Sequence, residues 1–204
     1  QFVETMVLLI VNHQSLIATK SNRIVRAAGD IPVMEFGSRR AQGASGAVDG
    51  ARAAYIGGCV GTACTLTEQL YGVPAGGTMA HSWIQMFGDE LEAFKQYCRI
   101  YPDNALLLVD TYDTLNSGIP NAIRVAREYL EPNGYKFKGI RIDSGDLAYL
   151  SKETRNMLDN AGFPQAKICL SNGLTAETIE NLIIQGAVFD TLGVGDNISK
   201  PEGR

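Results

Sequence analysis

The sequence predicts an α/β fold built from parallel βα units. Short apolar runs alternate with amphipathic helical patterns along nearly the whole chain, at the repeat length of βα units. Each apolar run ends in a polar or glycine-rich cluster, among them EFGSRR, VDTYD, RIDSGD and GVGD. Strands joined by helices pair in parallel, because a parallel pair needs a long crossover connection. Two architectures follow from this pattern, an open doubly wound sheet and a closed (β/α) barrel.

The first half of the chain opens on one long helix over residues 1–29, where apolar residues recur at helical spacing as far as Gly29. The remaining residues, 30–204, are predicted to form alternating βα units of the same single domain. IPVMEFGS and YIGGCVG predict strands, and GAVDGARAAY and TLTEQLYG predict the helices that follow them. VPAGGTMA predicts a further strand, and Ser82 to Tyr97 predicts one continuous helix.

The second half of the chain is more regular. NALLLVDTY, FKGIRIDSGD, AKICLSNG and FDTLGVGD predict strands, and three amphipathic helices separate them. Gly134 and Gly162 are placed to end two of these helices, and Thr175 is placed to cap the third. Six or seven strands fall short of the eight in a complete barrel, which takes about 250 residues. The predicted fold is a (β/α) barrel that is incomplete in this chain, because in a barrel every polar strand end lies on one face.

Composition and charge narrow the classes of function. The 204 residues are 45% hydrophobic and 20% charged, which is typical of a globular domain with a substantial core. A net charge of −4 argues against nucleic-acid binding, which usually needs a basic patch. The longest apolar run, TMVLLIV, stops at Asn12 and His13, so no membrane association is predicted. Four scattered cysteines without a CxxC pair indicate free thiols in a reducing cytoplasm.

Carboxylates follow two of the apolar strands. Asp110 and Asp143 stand at the strand ends, where oxygen ligands suit a hard cation such as Mg²⁺. Asp113 and Asp146 each lie three residues further on, where capping of the next helix is the favoured interpretation.

Other strand ends carry groups that suit an anion. The glycine turns in LSNG and GVGD expose backbone N–H groups that can cradle a phosphate, and barrels bind phosphate after their late strands. Arg39 and Arg40 follow a strand-end glycine. His81 lies at a predicted strand-to-helix junction, where packing and chemistry are both open interpretations. This inventory predicts a phosphorylated sugar or nucleotide as ligand, with Mg²⁺.

Six motifs occur in order over nearly the whole chain: EFGSRR, YIGGCVGTA, GTMAHS, VDTYDT, GIRIDSGDL and SNGL. Together they resemble the nicotinate phosphoribosyltransferase family. The resemblance implies the central part of a chain about twice as long, with a (β/α) barrel of the type II phosphoribosyltransferase kind. It implies an ATP-dependent enzyme of the ligase class, a cytoplasmic homodimer of NAD biosynthesis with Mg²⁺ as cofactor. The enzyme would transfer a phosphoribosyl group from phosphoribosyl pyrophosphate to nicotinate, forming nicotinate mononucleotide and pyrophosphate.

The resemblance also implies roles for individual residues. ATP would phosphorylate His81, and Asp110, Arg141 and Asp143 would complete the catalytic set. Asp110 and Asp143 would orient Mg²⁺. The substrate-binding residues would stand at the other strand ends: Phe36, Arg39, Ser171, Asn172, Gly173, Gly193 and Gly195.

Two alternatives remain beside this function. One is a phosphoribosyltransferase for nicotinamide or quinolinate, and the other is a non-catalytic barrel that binds a phosphorylated sugar. Relatives that use nicotinamide carry an acid in the region of GGCVGTA, whereas no acid occurs here between Gly57 and Thr67. This favours nicotinate, whose carboxylate an acid would repel. Because part of the barrel is missing, we expect the 204-residue chain by itself to be inactive.

Overall fold

The computed structural model describes residues 1–200, and these divide into two compact units. The first unit comprises residues 1–77, 173–181 and 192 onward, and the second comprises residues 78–172 and 182–191. Both units consist of parallel strands covered by helices, which confirms the predicted α/β class.

The described elements follow one another in the predicted βα rhythm. The helices are α1 (Phe2–Ala28), α2 (Gly43–Ile56), α3 (Thr65–Tyr71), α4 (His81–Gln85), α5 (Glu90–Ile100), α6 (Ile119–Val125), α7 (Leu147–Asn160), α8 (Ala176–Ile184) and α9 (Asp196–Ser199). The strands are β1 (Val33–Glu35), β2 (Gly61–Thr62), β3 (Leu106–Leu108), β4 (Gly139–Ile142), β5 (Lys167–Leu170) and β6 (Thr191–Val194). Two π-helical segments, Thr114–Gly118 and Ala126–Leu130, flank α6.

In the first unit, β1 lies between β2 and β6, and both pairings are parallel. Glu35 is opposite Thr62 on one side and Val194 on the other. Helix α1 packs against α2 through a face whose buried members include Ile17 and Ile24. Small residues of α2 let the two helices approach closely.

The N-terminal half of α1 exposes apolar side chains, including Phe2, Met6 and Leu9. By length and composition alone α1 could cross a membrane, since its mean hydropathy reaches 1.3 over an 18-residue window. The uninterrupted apolar run within this helix ends at Asn12 and His13. Only 6% of the 18-residue window is buried, so most of its apolar side chains are exposed in the described chain.

In the second unit, β4 lies between β3 and β5, again in parallel. One face of these strands carries fully buried apolar side chains: Leu107, Ile140, Ile142, Ile168 and Leu170. On the opposite face, Leu108 and Cys169 are also buried. Arg141 interrupts this apolar pattern at the centre of the unit, with 13% of its side chain exposed. A charged side chain in such a place needs several polar partners.

Three sequence predictions are wrong in detail. VPAGGTMA forms no strand in the described chain, because Gly76 and Gly77 offer no side chains to pack, and only Ala75 makes a parallel bridge, to Thr62. The start of YIGGCVG continues α2 as far as Ile56, so the strand there shrinks to Gly61–Thr62.

The predicted helix from Ser82 to Tyr97 is the third error, because it is two helices. The helical conformation is interrupted around Gly88. The Asp89 carboxylate then accepts a hydrogen bond from the Leu91 N–H at 3.1 Å, and α5 begins at Glu90. A carboxylate at the N-cap stabilises the start of a helix, because it accepts hydrogen bonds from N–H groups that have no partner within the helix.

The four cysteines are free thiols, as predicted. Burial raises the pKa of the Cys59 and Cys98 thiols to about 12. These two side chains therefore pack as small apolar groups.

Candidate active site

His81 is the first residue of α4, and 37% of its side chain is exposed. Its Nε2 lies 3.2 Å from Oδ1 of Asp110, which follows β3 and whose side chain is only 1% exposed. The sequence predicted both residues for the site, and the fold places them in hydrogen-bond contact. A buried carboxylate that holds one ring nitrogen fixes the orientation of an imidazole.

The second carboxylate oxygen of Asp110 also accepts hydrogen bonds. Asp110 Oδ2 accepts a hydrogen bond from the Asp143 backbone N–H at 3.0 Å and from the Ser144 hydroxyl at 2.5 Å. These donors follow β4, the neighbour of β3 in the sheet, so the parallel pairing itself brings them to Asp110. Three donors hold Asp110 in one orientation, which is the arrangement of a positioning carboxylate.

Arg141 is held by three polar side chains. Its Nε donates to Ser171 Oγ at 2.8 Å, its Nη1 to Thr78 Oγ1 at 2.9 Å and its Nη2 to Asp143 Oδ1 at 3.0 Å. The Ser171 hydroxyl in turn donates to Asp143 Oδ1 at 2.5 Å. The result is a rigid cationic group at the ends of β4 and β5, with a fixed direction for its charge.

The predicted magnesium ligands differ in what they can offer a cation. Both oxygens of Asp110 are engaged, whereas the described residues place no hydrogen bond on Asp143 Oδ2. In the part of the chain that the structure describes, no group of three or more His, Cys, Asp or Glu side chains could hold a metal. Asp143 Oδ2 is therefore the carboxylate oxygen most accessible to Mg²⁺, which commonly binds one or two carboxylates together with substrate phosphates, and the assignment of both Asp110 and Asp143 stays a prediction.

The remaining predicted binding residues lie largely in the first unit. Arg39 stands exposed in a 3₁₀ turn, Ser38–Arg40, directly after Phe36 and Gly37. A side chain at Gly193 would collide with the Phe36 ring, and one at Gly195 would lie 2.8 Å from the Phe36 carbonyl oxygen. Packing of Phe36 thus accounts for both glycines, and their predicted contact with phosphate stays a prediction.

Asn172 and Gly173 form the turn after β5. Both have positive φ angles, 103° and 56°, and Asn172 is the one non-glycine residue with positive φ in the described chain. Asn197 donates to the carbonyl oxygens of Gly173 and Leu174 at 2.7 and 3.0 Å. A strained turn held in this way is typical of a functional loop.

The capping interpretation of the two outer carboxylates is confirmed. Asp113 accepts hydrogen bonds from the N–H groups of Leu115 and Asn116, and Asp146 accepts one from Tyr149. The hydrogen bonds from the side chain and backbone of Asn116 lower the pKa of the Asp113 carboxyl.

Two hydroxyl groups of the site were not predicted from the sequence. Thr78 belongs to the motif GTMAHS and Ser144 to RIDSGD. The position of each in a polar cluster between predicted elements was the available signal. Uncharged hydroxyls are too common in such turns for that signal to single them out.

Comparison with known proteins identifies the family of this chain. A sequence model of the Nicotinate phosphoribosyltransferase (NAPRTase) family matches residues 31–198. Nicotinate phosphoribosyltransferase of Bacillus subtilis (strain 168) is 50% identical over 198 residues, which make up 97% of this chain and 40% of that protein. The chain therefore spans less than half the length of this curated relative.

Solved structures agree with this comparison. The crystal structure of human nicotinic acid phosphoribosyltransferase superposes with a TM-score of 0.88 at 28% identity, covering 95% of this chain and 49% of that chain. Nicotinate-nucleotide pyrophosphorylase from Pyrococcus furiosus superposes with a TM-score of 0.77 at 30% identity, covering 93% and 48%. The chain belongs to the nicotinate phosphoribosyltransferase family.

Proposed function

We propose that this chain is part of a nicotinate phosphoribosyltransferase, which forms nicotinate mononucleotide and pyrophosphate in NAD biosynthesis. The observation that carries the proposal is the pair of His81 and Asp110 beside the Arg141 network, in a chain of this family. The Bacillus subtilis and human relatives bear the name of this activity.

His81 is the proposed acceptor of the ATP γ-phosphoryl group. When the Nε2–H group donates a hydrogen bond to Asp110, the lone pair of the neutral ring lies on Nδ1. Nδ1 attacks the γ-phosphorus, an N–P bond forms, and the bond to the bridging oxygen breaks, so that ADP leaves with the electron pair. Asp110 stabilises the positive charge that the ring acquires.

Arg141 and Asp143 are the proposed contacts of phosphoribosyl pyrophosphate. The nitrogen of nicotinate attacks C1′, and the bond from C1′ to the pyrophosphate oxygen breaks, so that pyrophosphate leaves with the electron pair. The Arg141 guanidinium neutralises charge that develops on the leaving group without having to reorient, because three side chains already hold it.

Mg²⁺ fits this proposal through Asp143, whose second oxygen is available to a cation. When bound, Mg²⁺ would neutralise pyrophosphate charge. The turn that carries Phe36 and Arg39 is the proposed contact of nicotinate. The same proposal includes a homodimer in the cytoplasm, which the family membership supports. It also includes a (β/α) barrel completed by further chain, which the parallel strands with helices between them support.

The full-length protein should become labelled by ATP carrying ³²P in the γ position, and the label should be acid-labile. His81→Ala should abolish the label, and Asp110→Asn should slow labelling about tenfold or more, because an amide does not stabilise the charged ring. His13→Ala is the matched control, since the second histidine lies within α1. Label retained in His81→Ala would contradict the assignment.

Product formation completes the test. With phosphoribosyl pyrophosphate, ATP and Mg²⁺, we expect nicotinate to outcompete nicotinamide and quinolinate as substrate. Preference for another pyridine would overturn the substrate assignment. Binding of phosphoribosyl pyrophosphate with no product from any of the three would support the non-catalytic alternative.

A further inference from the structure

A carboxyl group is buried at the end of β1. Glu35 is 1% exposed and is the last residue of the strand. Its Oε1 accepts hydrogen bonds from the Gly37 backbone N–H and from the Ser199 hydroxyl, the latter at 3.4 Å. Its Oε2 accepts one from the Thr62 hydroxyl at 2.5 Å. One side chain therefore links β1 with β2, with α9 and with the turn that follows it.

That turn is the segment that carries Phe36 and Arg39. The bond from the Gly37 N–H to Glu35 bends the chain as it leaves β1, and the 3₁₀ turn Ser38–Arg40 begins there. A side chain at Gly37 would collide with Ser199 and with the Glu35 carboxylate, so the glycine permits this close approach. The far end of the turn is tied down by an ion pair between Arg40 and Asp196 at 2.8 Å.

Packing alone does not explain a carboxylate in this position. Burial raises the pKa of the Glu35 carboxyl, and the hydrogen bonds from Thr62, Gly37 and Ser199 offset only part of that rise. An apolar side chain would fill the same volume without the cost of desolvating a carboxyl group. What the carboxylate adds is a set of directed hydrogen bonds that selects one conformation of the turn.

We propose that Glu35 is a positioning residue that holds the turn from Phe36 to Arg40 in the conformation that binds the pyridine carboxylate of nicotinate. The inference rests on the proposed function and adds to it a residue that touches no substrate. An ordered turn lowers the entropic cost of binding, so its loss weakens binding of the ligand that the turn contacts. The effect should therefore appear in the KM for nicotinate, with kcat and the KM for phosphoribosyl pyrophosphate nearly unchanged.

The test uses the full-length protein with Glu35→Gln, in which an amide nitrogen replaces one acceptor oxygen. We expect the KM for nicotinate to rise about tenfold, which is the effect of one lost hydrogen bond to a charged group. Thr62→Val should reproduce this rise by removing the donor, and Thr62→Ser, which keeps the hydroxyl, should not. Labelling of His81 by ATP should proceed at the wild-type rate in all three variants.

Glu90→Gln is the matched control. Glu90 is the other buried glutamate in the described chain, 4% exposed, and its carboxylate accepts hydrogen bonds from Ser117 and Asn121. Its replacement should lower the melting temperature about as much as Glu35→Gln does, and leave the KM for nicotinate unchanged.

An unchanged KM for nicotinate in Glu35→Gln, with a lowered melting temperature, would overturn the inference and leave Glu35 a structural residue. An equal rise in KM in Glu90→Gln would overturn it as well, since general loosening would then explain both. If Glu35→Gln does not fold, Thr62→Val decides between the same outcomes. A wild-type protein that makes no nicotinate mononucleotide refutes the proposed function, whereas an active wild type with an insensitive KM refutes this inference alone.

Discussion

Asp110 shows how one side chain can organise a site. It accepts three hydrogen bonds, from His81, Ser144 and the Asp143 backbone, and these donors come from segments far apart in the sequence. A carboxylate with three fixed donors is constrained to one rotamer. The imidazole that it holds is then presented in one orientation before any substrate arrives, which is the condition for efficient nucleophilic chemistry.

Arg141 is the residue whose loss should separate catalysis from folding. In the full-length protein, Arg141→Ala should lower kcat/KM for transfer about 100-fold or more, because it removes a preorganised positive charge from the leaving group. The melting temperature should fall by only a few degrees, as expected for a loss of about 1–2 kcal/mol. Steady-state kinetics and circular dichroism melts of the same preparation measure both effects.

Arg155→Ala is the control for this substitution. Arg155 is also largely buried, and it donates to Asp159 and to the carbonyl oxygens of Phe163 and Ala166, each at 2.8 Å. Its loss should lower stability without slowing transfer. If Arg141→Ala simply unfolds the protein, Arg141 belongs to a structural ion pair.

At the scale of elements, the π-helical segment Thr114–Gly118 packs against the chain directly after β3. Asp113 caps this segment, and Gly118 lies directly on the carbonyl group of Val109, the residue before Asp110. Any side chain at position 118 would collide with that carbonyl oxygen. π-helical turns often occur at functional sites, and here one packs against the strand end that carries the positioning carboxylate.

Gly118→Ala should therefore disturb Asp110 indirectly, by displacing the π-helical segment that packs against Val109. The added methyl group has to push the segment away from Val109, at a cost of about 1–3 kcal/mol typical of overpacking. We expect a lower urea midpoint and slower phosphorylation of His81. Gly88→Ala, at a glycine with no atom near the added methyl group, should leave both unchanged. Normal phosphorylation in Gly118→Ala would show that Asp110 does not depend on this packing.

Local sequence patterns predicted the helix caps more accurately than the strands. The end of α7 at Gly162 and the capping residues Asp113, Asp146 and Thr175 were predicted correctly, because caps depend on a few adjacent residues. The strand at VPAGGTMA was wrong, because pairing with β2 depends on residues elsewhere and only one bridge forms.

At the scale of the whole molecule, the chain spans 40% of its Bacillus subtilis relative and exposes much apolar surface on α1. Strand β3 pairs only with β4 among the described strands. An open strand edge and a large apolar patch both favour association with other chains.

The 204-residue chain produced by itself should therefore show no transferase turnover and should self-associate. Catalysis needs reacting groups placed to within an ångström, and a site with unsupported surroundings does not hold them there. Size-exclusion chromatography beside an assay with phosphoribosyl pyrophosphate, nicotinate and ATP measures both. Nicotinate mononucleotide made by a stable monomer would contradict this expectation.

The sequence by itself determined the α/β class, the parallel pairing and the strand ends that carry the candidate site residues. These follow from hydrophobic periodicity and crossover length, which are properties of short segments. Only the tertiary structure decided which polar groups satisfy one another. Asp110 and Ser144 are 34 residues apart and meet because β3 pairs with β4. That contact and the hydrogen bond from the Asp143 N–H hold Oδ2 of Asp110, so that Oδ1 lies within hydrogen-bond distance of His81.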